Sequence, residues 1–235
     1  MGLGLHGGGT GTAAFFARLG SRVIVTDLKT KKELAPSIAK LRRFRNISYH
    51  LGGHRPEDFK TADYVIKGPG VPENSKYLKI AKQAKVPILS DVEIFFLVCP
   101  APIIGITGTK GKSTTATLLY RLLKHDPRQI RVGDRRVIRV WLAGNIRKSV
   151  FEIIHKIKKN HLVILELSSF QLDSLKNQGI SPHIALITNV FADHLNRYAS
   201  MRAYAASKAN IFKYQKKEDY LFINGRDKLL RRLAK

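Results

Sequence analysis

Pro102-Ile103-Ile104-Gly105-Ile106-Thr107-Gly108-Thr109-Lys110-Gly111-Lys112-Ser113-Thr114-Thr115 joins an apolar run to a glycine-rich turn, and the turn leads into a helix-forming segment, Ala116 to Lys124. That order is the layout of a phosphate-binding loop. Glycines let backbone N–H groups turn toward phosphate oxygens. The N-terminus of the following helix favours an anion, Lys112 adds charge, and the Ser113 hydroxyl can hold Mg²⁺. A nucleoside triphosphate is the first ligand the stretch predicts. The spacing from Gly108 to Ser113 is G-x-x-G-K-S, shorter than the usual G-x-x-x-x-G-K-[ST]. A glycine turn beside a solvated lysine is the competing reading, and the strand, loop and helix order favours the phosphate loop.

Composition bounds the rest. The 235 residues suffice for one large domain or two small ones, and a hydrophobic content of 44% supports a packed core. The single cysteine, Cys99, excludes an internal disulfide and fits a reducing compartment. The start has neither a basic leader nor a long apolar stretch. The most apolar window, Val86 to Ile106, is interrupted by Asp91, Glu93 and three prolines, too broken for a bilayer span. A soluble, cytoplasmic protein without membrane insertion is expected. The formal charge of +25 admits nucleic acid, an anionic surface or anionic small ligands. No aromatic-rich RNA-binding motif and no zinc spacing accompany it, so a solvated basic face is the simpler reading.

Strand-like and helix-like runs alternate, which predicts α/β units and a largely parallel sheet. Strands are expected at Arg22–Thr26, Tyr64–Lys67, Ile103–Thr107, Leu162–Glu166, Ile184–Thr188 and Asp219–Ile223. Helices are expected at Thr12–Leu19, Lys31–Arg43, Ser75–Ala84, Ser113–Lys124, Arg147–Lys158, Met201–Phe212 and Lys228–Leu233, with Gly20 as a helix C-cap. Pro127 to Arg139 reads as a basic loop or hairpin insertion. The Pro100-Ala101-Pro102 stretch marks a domain boundary, giving residues 1–99 and 100–235. Gly2-Leu3-Gly4-Leu5-His6-Gly7 is a G-x-G-x-x-G pattern of the kind that normally follows a strand, and no strand precedes it here. Both ends therefore read as cut, and the chain is expected to be a fragment.

Several strand ends carry polar residues. Arg22 to Asp27 is a strand ending in an acid, placed for a ribose or base contact if the first glycine cluster is a nucleotide site; a structural turn fits equally. Lys67-Gly68-Pro69-Gly70 is a second turn after a strand. Leu162 to Glu166 ends in a carboxylate, placed to serve Mg²⁺ beside a phosphate loop. Ile187 to His194 runs from a strand into a loop that brings Asp193 and His194 together. Lys208 sits among small residues, Ala205, Ala206, Ser207 and Ala209, which would let it reach inward.

In this order the segments resemble the Mur ligases, the ATP-dependent amide-bond-forming enzymes of peptidoglycan synthesis. The resemblance rests on Gly108–Ser113, on Glu166-Leu167-Ser168-Ser169-Phe170-Gln171-Leu172, on Asp193-His194-Leu195-Asn196-Arg197-Tyr198 and on Tyr204–Lys208, and it covers nearly the whole chain. Within the family, the Glu166–Leu172 run, with the Gly2–Gly7 start and Thr26-Asp27, is similar to the branch that adds D-glutamate to UDP-N-acetylmuramoyl-L-alanine.

The resemblance implies a Rossmann-like N-terminal domain that binds the UDP-linked substrate, followed by part of a P-loop ATPase-type domain. It implies ATP on Gly108, Thr109, Lys110, Gly111, Lys112, Ser113 and Thr114, with Lys112 on the β- and γ-phosphates. It implies two Mg²⁺ ions, one on Ser113 and Glu166, the other on His194 and a carbamylated Lys208. Lys112, His194 and Lys208 would be the catalytic set. Gly4, Leu5, Asp27, Gly70, Asn145, Ser168 and Gln171 would contact the UDP-muramoyl substrate. The chain departs from the family at Lys110, where asparagine is usual, and at Asn196, where a second aspartate is usual. The remainder of the central domain and the C-terminal domain are absent, so 235 residues acting alone, as a monomer, are expected to be inactive. Alternatives are an L-alanine-adding or folylpolyglutamate-type relative, and a basic P-loop protein binding nucleic acid in a salt-sensitive way.

Overall fold

The computed structural model describes residues 1–5, 7–125, 130–132, 134–137, 139–145, 149–193 and 197–234. The chain divides into two compact units: Met1–Phe95 with Arg147–His155, and Phe96–Ile146 with Lys156–Lys235.

The first unit opens with a glycine turn and helix α1 (Gly8–Arg18), which lead to β1 (Val23–Asp27). Helix α2 (Ala35–Leu41) crosses to β2 (Ile47–Leu51), which pairs with β1 in parallel. Next come α3 (Pro56–Lys60), β3 (Val65–Lys67), α4 (Lys76–Gln83) and β4 (Ile88–Ser90), with β3 and β4 again parallel. The unit thus holds two separate two-stranded sheets. Each has its own apolar cluster: Leu3, Ala13, Leu34 and Leu41 around β1, and Phe59, Val65, Leu78 and Ala81 around β3. Helix α5 (Asp91–Val98) carries the chain onward.

The second unit is one five-stranded parallel sheet. Its strands are β5 (Ile103–Thr107), β8 (Arg139–Gly144), β9 (His161–Glu166), β10 (Ile184–Ile187) and β11 (Tyr220–Ile223), in the order β11-β10-β5-β9-β8. A two-residue antiparallel ribbon, β6 (Arg131–Val132) with β7 (Arg135–Arg136), precedes β8. Helices α6 (Lys112–His125), α7 (Ser169–Gln178), α8 (Met201–Ala209) and α9 (Lys228–Leu233) complete it. β5 and β9 lie inside the sheet and are buried at every residue. That explains the apolar runs Ile103–Ile106 and Leu162–Leu165 inside them, since a parallel strand covered on both faces has no solvent side to mark with polar residues. At the edge, Trp141 of β8 donates its indole N–H to His161 Nδ1 at 2.9 Å.

The elements depart from the sequence reading in instructive places. Lys31–Arg43 shrinks to Ala35–Leu41, because Pro36 suits a helix's first turn and Lys31–Leu34 turns ahead of it. The helix expected over Arg147–Lys158 is instead two 3₁₀ turns, Val150–Glu152 and Ile154–Lys156; Arg147 and Lys148 lie outside the described residues. Val150, Phe151, Ile153 and Ile154 are all buried in these turns. Phe151 stacks on Phe15 of α1 with ring centroids 4.4 Å apart, which ties this segment to the first unit. The expected basic insertion over Pro127–Arg139 is described only in part, as the ribbon and the start of β8. Strands β2, β4 and β8 and helices α3, α5 and α7 were not anticipated. The interrupted apolar window, Val86 to Ile106, resolves into β4, α5 and β5. Among the described residues no helix is long and apolar enough to cross a membrane.

Candidate active site

β5 delivers the glycine turn. It is paired on both edges, with β9 and with β10, so the position of Thr107 is fixed from two sides. The chain then leaves the sheet at Gly108 with φ 151, and a Cβ there would lie 1.9 Å from the Thr188 hydroxyl. Only glycine fits that turn. The tip of the loop is held by the end of β10. Thr109 N–H donates to Asn189 O at 2.9 Å, and Lys110 N–H donates to Asn189 Oδ1 at 2.9 Å. Lys110 O accepts from Asn189 Nδ2 at 3.0 Å and from Thr188 Oγ1 at 2.7 Å. The Lys112 ammonium donates to Thr109 O at 2.9 Å, across the turn that a phosphate would enter. Ser113 and Thr114 are exposed in the first turn of α6, where helix N–H groups lack intrahelical acceptors.

Beside the loop stands Glu166, the last residue of β9, only 2% exposed. Its Oε2 accepts from Ser113 Oγ at 2.6 Å, and its Oε1 accepts from Asn145 Nδ2 at 3.0 Å. Asn145 N–H also bonds Glu166 O at 2.9 Å, tying the end of β8 to the end of β9. Both side-chain partners are neutral. A buried carboxylate bridged to a serine hydroxyl is an oxygen donor set suited to a hard cation such as Mg²⁺, which takes one or two protein ligands and leaves the rest to water and phosphate. Among the described residues no cluster of three His, Cys, Asp or Glu side chains is assembled, so the described donors fit one small ion and no all-protein metal cage.

Lys208, on α8, reaches the loop from another direction. It is 2% exposed and donates to Gly108 O at 3.0 Å, with its ammonium 4.5 Å from the centre of the Tyr204 ring. Burial lowers its pKa from 10.5 to about 8; the charge of Lys112 adds to the shift, and Asp193 and Asp173 oppose it. Tyr198 and Ser207 brace the same helix: the Tyr198 hydroxyl donates to Asp173 Oδ2 at 2.8 Å and lies 3.1 Å from Ser207 Oγ. Burial pushes the Tyr198 phenol up to about 12. His194, Leu195 and Asn196 lie outside the described residues.

The other expected residues fall in distinct places. Ser168 and Gln171 form a capping box at the start of α7: Gln171 N–H donates to Ser168 Oγ at 3.3 Å and Ser168 N–H to Gln171 Oε1 at 3.0 Å. In the first unit, Asp27 Oδ2 accepts from Gly4 N–H at 3.1 Å and its Oδ1 from Lys29 N–H at 2.9 Å. Asp27 therefore organises the turn that holds Gly4, while Leu5 is exposed beside it. Gly70 lies in the separate, exposed turn after β3. Thr188 and Asn189, which hold the loop tip, escaped the sequence reading. Their segment carried part of the signal: Thr188 ends the expected strand Ile184–Thr188 and Asn189 follows it directly.

A glycine turn leaving the middle strand of a parallel sheet, with a buried acid ending the adjacent strand, is the layout of a P-loop-type α/β domain. The Mur ligase middle-domain family matches residues 106–235, and the Mur ligase MurD-like N-terminal domain matches residues 1–90. The chain belongs to the Mur ligase family. It is 42% identical to the UDP-N-acetylmuramoylalanine--D-glutamate ligase of Roseiflexus sp. (strain RS-1), over 100% of this chain and 48% of that protein. The corresponding ligase of Treponema pallidum (strain Nichols) is 38% identical over 97% of this chain and 43% of its own length. The chain thus spans about half the length of the curated relatives it matches. Among solved structures, the UDP-N-acetylmuramate:L-alanyl-gamma-D-glutamyl-meso-diaminopimelate ligase from Neisseria meningitides shares the fold. Its TM-score is 0.67 at 18% identity, covering 99% of this chain and 72% of that one.

Proposed function

We propose that this chain carries the UDP-substrate-binding part and the ATP-activating part of a ligase that joins D-glutamate to UDP-N-acetylmuramoyl-L-alanine in the cytoplasm. The reading is supported by the match to D-glutamate-adding relatives across the whole chain. The observation that carries the chemistry is the Ser113–Glu166 hydrogen bond beside Lys112 and the loop amides. Residues 1–99 take the UDP-linked substrate, with Gly4, Leu5, Asp27 and Gly70 on its side. Asn145, Ser168 and Gln171 contact it from residues 100–235.

In the proposed reaction a terminal carboxylate oxygen of the substrate attacks the γ-phosphorus of ATP, and the bond to the β-phosphate oxygen breaks. The amine of D-glutamate then attacks the acyl carbon, loses a proton, and expels phosphate. Lys112 turns from Thr109 O to the β- and γ-phosphate oxygens, and the N–H groups at the start of α6 receive the same anion. Catalysis is then mainly positioning and charge neutralisation. Bound Mg²⁺ supplies further neutralisation of the phosphate oxygens. Ser113 and Glu166 would hold one ion, and His194 with Lys208 the second.

Lys208 fits this second role as a carbamate. Its neutral amine attacks the carbon of CO₂, a C–N bond forms and a proton leaves. A cation repelled by Lys112 becomes an anion attracted to it. The lowered pKa keeps a fraction of the amine neutral near pH 7, as the addition requires.

Lys112→Ala should weaken Mg²⁺-ATP binding roughly 100-fold by calorimetry, the scale of losing one charged phosphate contact. An unchanged Kd would refute the site. Bicarbonate-dependent activity, with rescue of Lys208→Ala by a small carboxylic acid, tests the carbamate; no response to either counts against it. For the amino acid, the chain extended to its relatives' length is given UDP-N-acetylmuramoyl-L-alanine, ATP and each amino acid in turn. Phosphate release with another amino acid and none with D-glutamate would reject the assignment.

A further inference from the structure

We propose that the end of the first unit where β1 and β2 begin is a docking surface for an anionic phospholipid bilayer.

Two connections meet there. Arg18 and Arg22 lie at the passage from α1 to β1, and Arg42, Arg43 and Arg45 at the passage from α2 to β2. Because β1 and β2 pair in parallel, with Val23 opposite Ile47, both connections enter the sheet from the same end. Asn46 fastens them. Its Nδ2 donates to Ala17 O and to Ser21 O, each at 2.8 Å, and its backbone carbonyl accepts from Val23 N–H at 2.9 Å. Phe44 draws the charges together: the guanidinium carbon of Arg43 is 4.9 Å from the centre of its ring, and that of Arg18 is 5.9 Å away.

Nearby acids do not balance this charge. All five arginines are exposed, and none is ion-paired with a carboxylate among the described residues. No Asp or Glu occurs in residues 1–26 or 34–56. Arg18 and Arg42 sit at the C-terminal ends of α1 and α2, where the helix dipole favours a cation. Arg22 and Arg45 each lead into a strand, so that role does not account for them.

Charge alone would suit any polyanion. Two observations favour a bilayer over a nucleic-acid strand. Leu19, next to Arg18, is 65% exposed, and an aliphatic side chain among arginines can enter lipid while the guanidinium groups meet the phosphates. Phe44 is half-buried, packs against the core around β1 and already carries guanidinium groups, so it is not open to a stacking base. The surface is also separate from the turn that Asp27 organises. That turn lies at the opposite end of β1, roughly 13 Å away along five residues, and docking leaves it open.

The test measures sedimentation of the chain with vesicles of equimolar phosphatidylglycerol and phosphatidylcholine, at about 0.15 M salt. One basic residue beside an anionic surface is worth roughly fivefold in partitioning, so Arg22→Gln with Arg45→Gln should weaken binding roughly 25-fold. Arg22→Lys with Arg45→Lys keeps the charge and should bind within about threefold of the parent chain. Arg231→Gln with Arg232→Gln removes as much charge from α9 and should also stay within about threefold. Leu19→Ser should cost roughly fivefold. No adsorption by the parent chain, or equal losses from the two glutamine pairs, would overturn the proposal. So would binding to polyuridylate that the Arg22 and Arg45 glutamine changes weaken while vesicle binding holds.

Discussion

The two units each lead into a helix through a glycine turn, yet they anchor the turn differently. In the second unit the turn leaves a strand paired along both edges, and Thr188 and Asn189 grip its tip with four further hydrogen bonds counted at Thr109 and Lys110. In the first unit the turn is held by the Met1 amine on Ile66 O, the Gly68 N–H on Met1 O, the Gly2 N–H on Thr26 O, the Asp27 carboxylate that receives Gly4 N–H, and the Ser37 hydroxyl that donates to Gly4 O. The difference teaches that glycine spacing alone does not define a stiff anion cradle. The neighbouring strand ends supply the stiffness, and they are not part of the motif.

The strongest way to break this comparison is to add a methyl group to each turn. Gly108→Ala places Cβ 1.9 Å from Thr188 Oγ1 at φ 151, inside the gripped loop, and should cost about 3 kcal/mol in urea unfolding. Gly9→Ala places Cβ 2.5 Å from Leu3 O. If the first turn, which no flanking strand end grips at its tip, yields more easily, that variant should cost less, about 2 kcal/mol, despite meeting backbone. Equal or reversed costs would remove the contrast. Gly111→Ala and Gly4→Ala, with open space at Cβ, should cost only about 1 kcal/mol for the backbone conformation.

Next in size is the grip itself. Asn189→Ala removes both side-chain bonds to Lys110 and should lower stability by about 1–2 kcal/mol. Nucleotide affinity, measured by calorimetry, should fall with it while Tm changes by only a few degrees. A loss of stability with unaltered affinity would show that the tip does not shape the phosphate site.

A separate contrast lies in two amines whose pKa burial lowers, one in each unit. Both have folded pKa values below the unfolded ones, so the unfolded chain holds more protons and stability climbs with pH. The window is about 6 to 8 for Met1 and about 8 to 10.5 for Lys208. N-terminal acetylation should flatten the first slope, and Lys208→Met the second. Unfolding free energies across pH 5–11, as an approximate range, would separate them. A slope that survives its own substitution places the titrating group elsewhere.

Much of the second unit was legible in sequence. β5, β9 and β10 lie where the apolar runs place them, and α6 follows the loop within a residue of the expected start. β8 was not legible, because its first residue, Arg139, closes an arginine-rich stretch that reads as solvated, and only Val140 and Ala143 are fully buried. β2 alternates weakly, Ile-Ser-Tyr-His-Leu, with a single buried residue. α7 hides behind Ser168 and Ser169, residues that disfavour a helix interior but suit its start. Of the candidate site, the loop, Glu166 and Lys208 could be read from their own segments. The anchoring by Asn189 could not, since it depends on β10 lying next to β5, a tertiary fact.

Trp141 is the chain's one tryptophan, and its indole bond to His161 gives the second unit a private optical signal. His161 Nδ1 accepts from the indole and, at 3.1 Å, from Lys158 N–H, so this nitrogen carries no proton. Burial, with the charges of Arg139 and Lys158, holds the imidazole pKa below its usual value. Acid strong enough to protonate Nδ1 turns the acceptor into a donor and releases the indole. The emission should then change colour before the sheet melts, while the first unit stays dark to the same light.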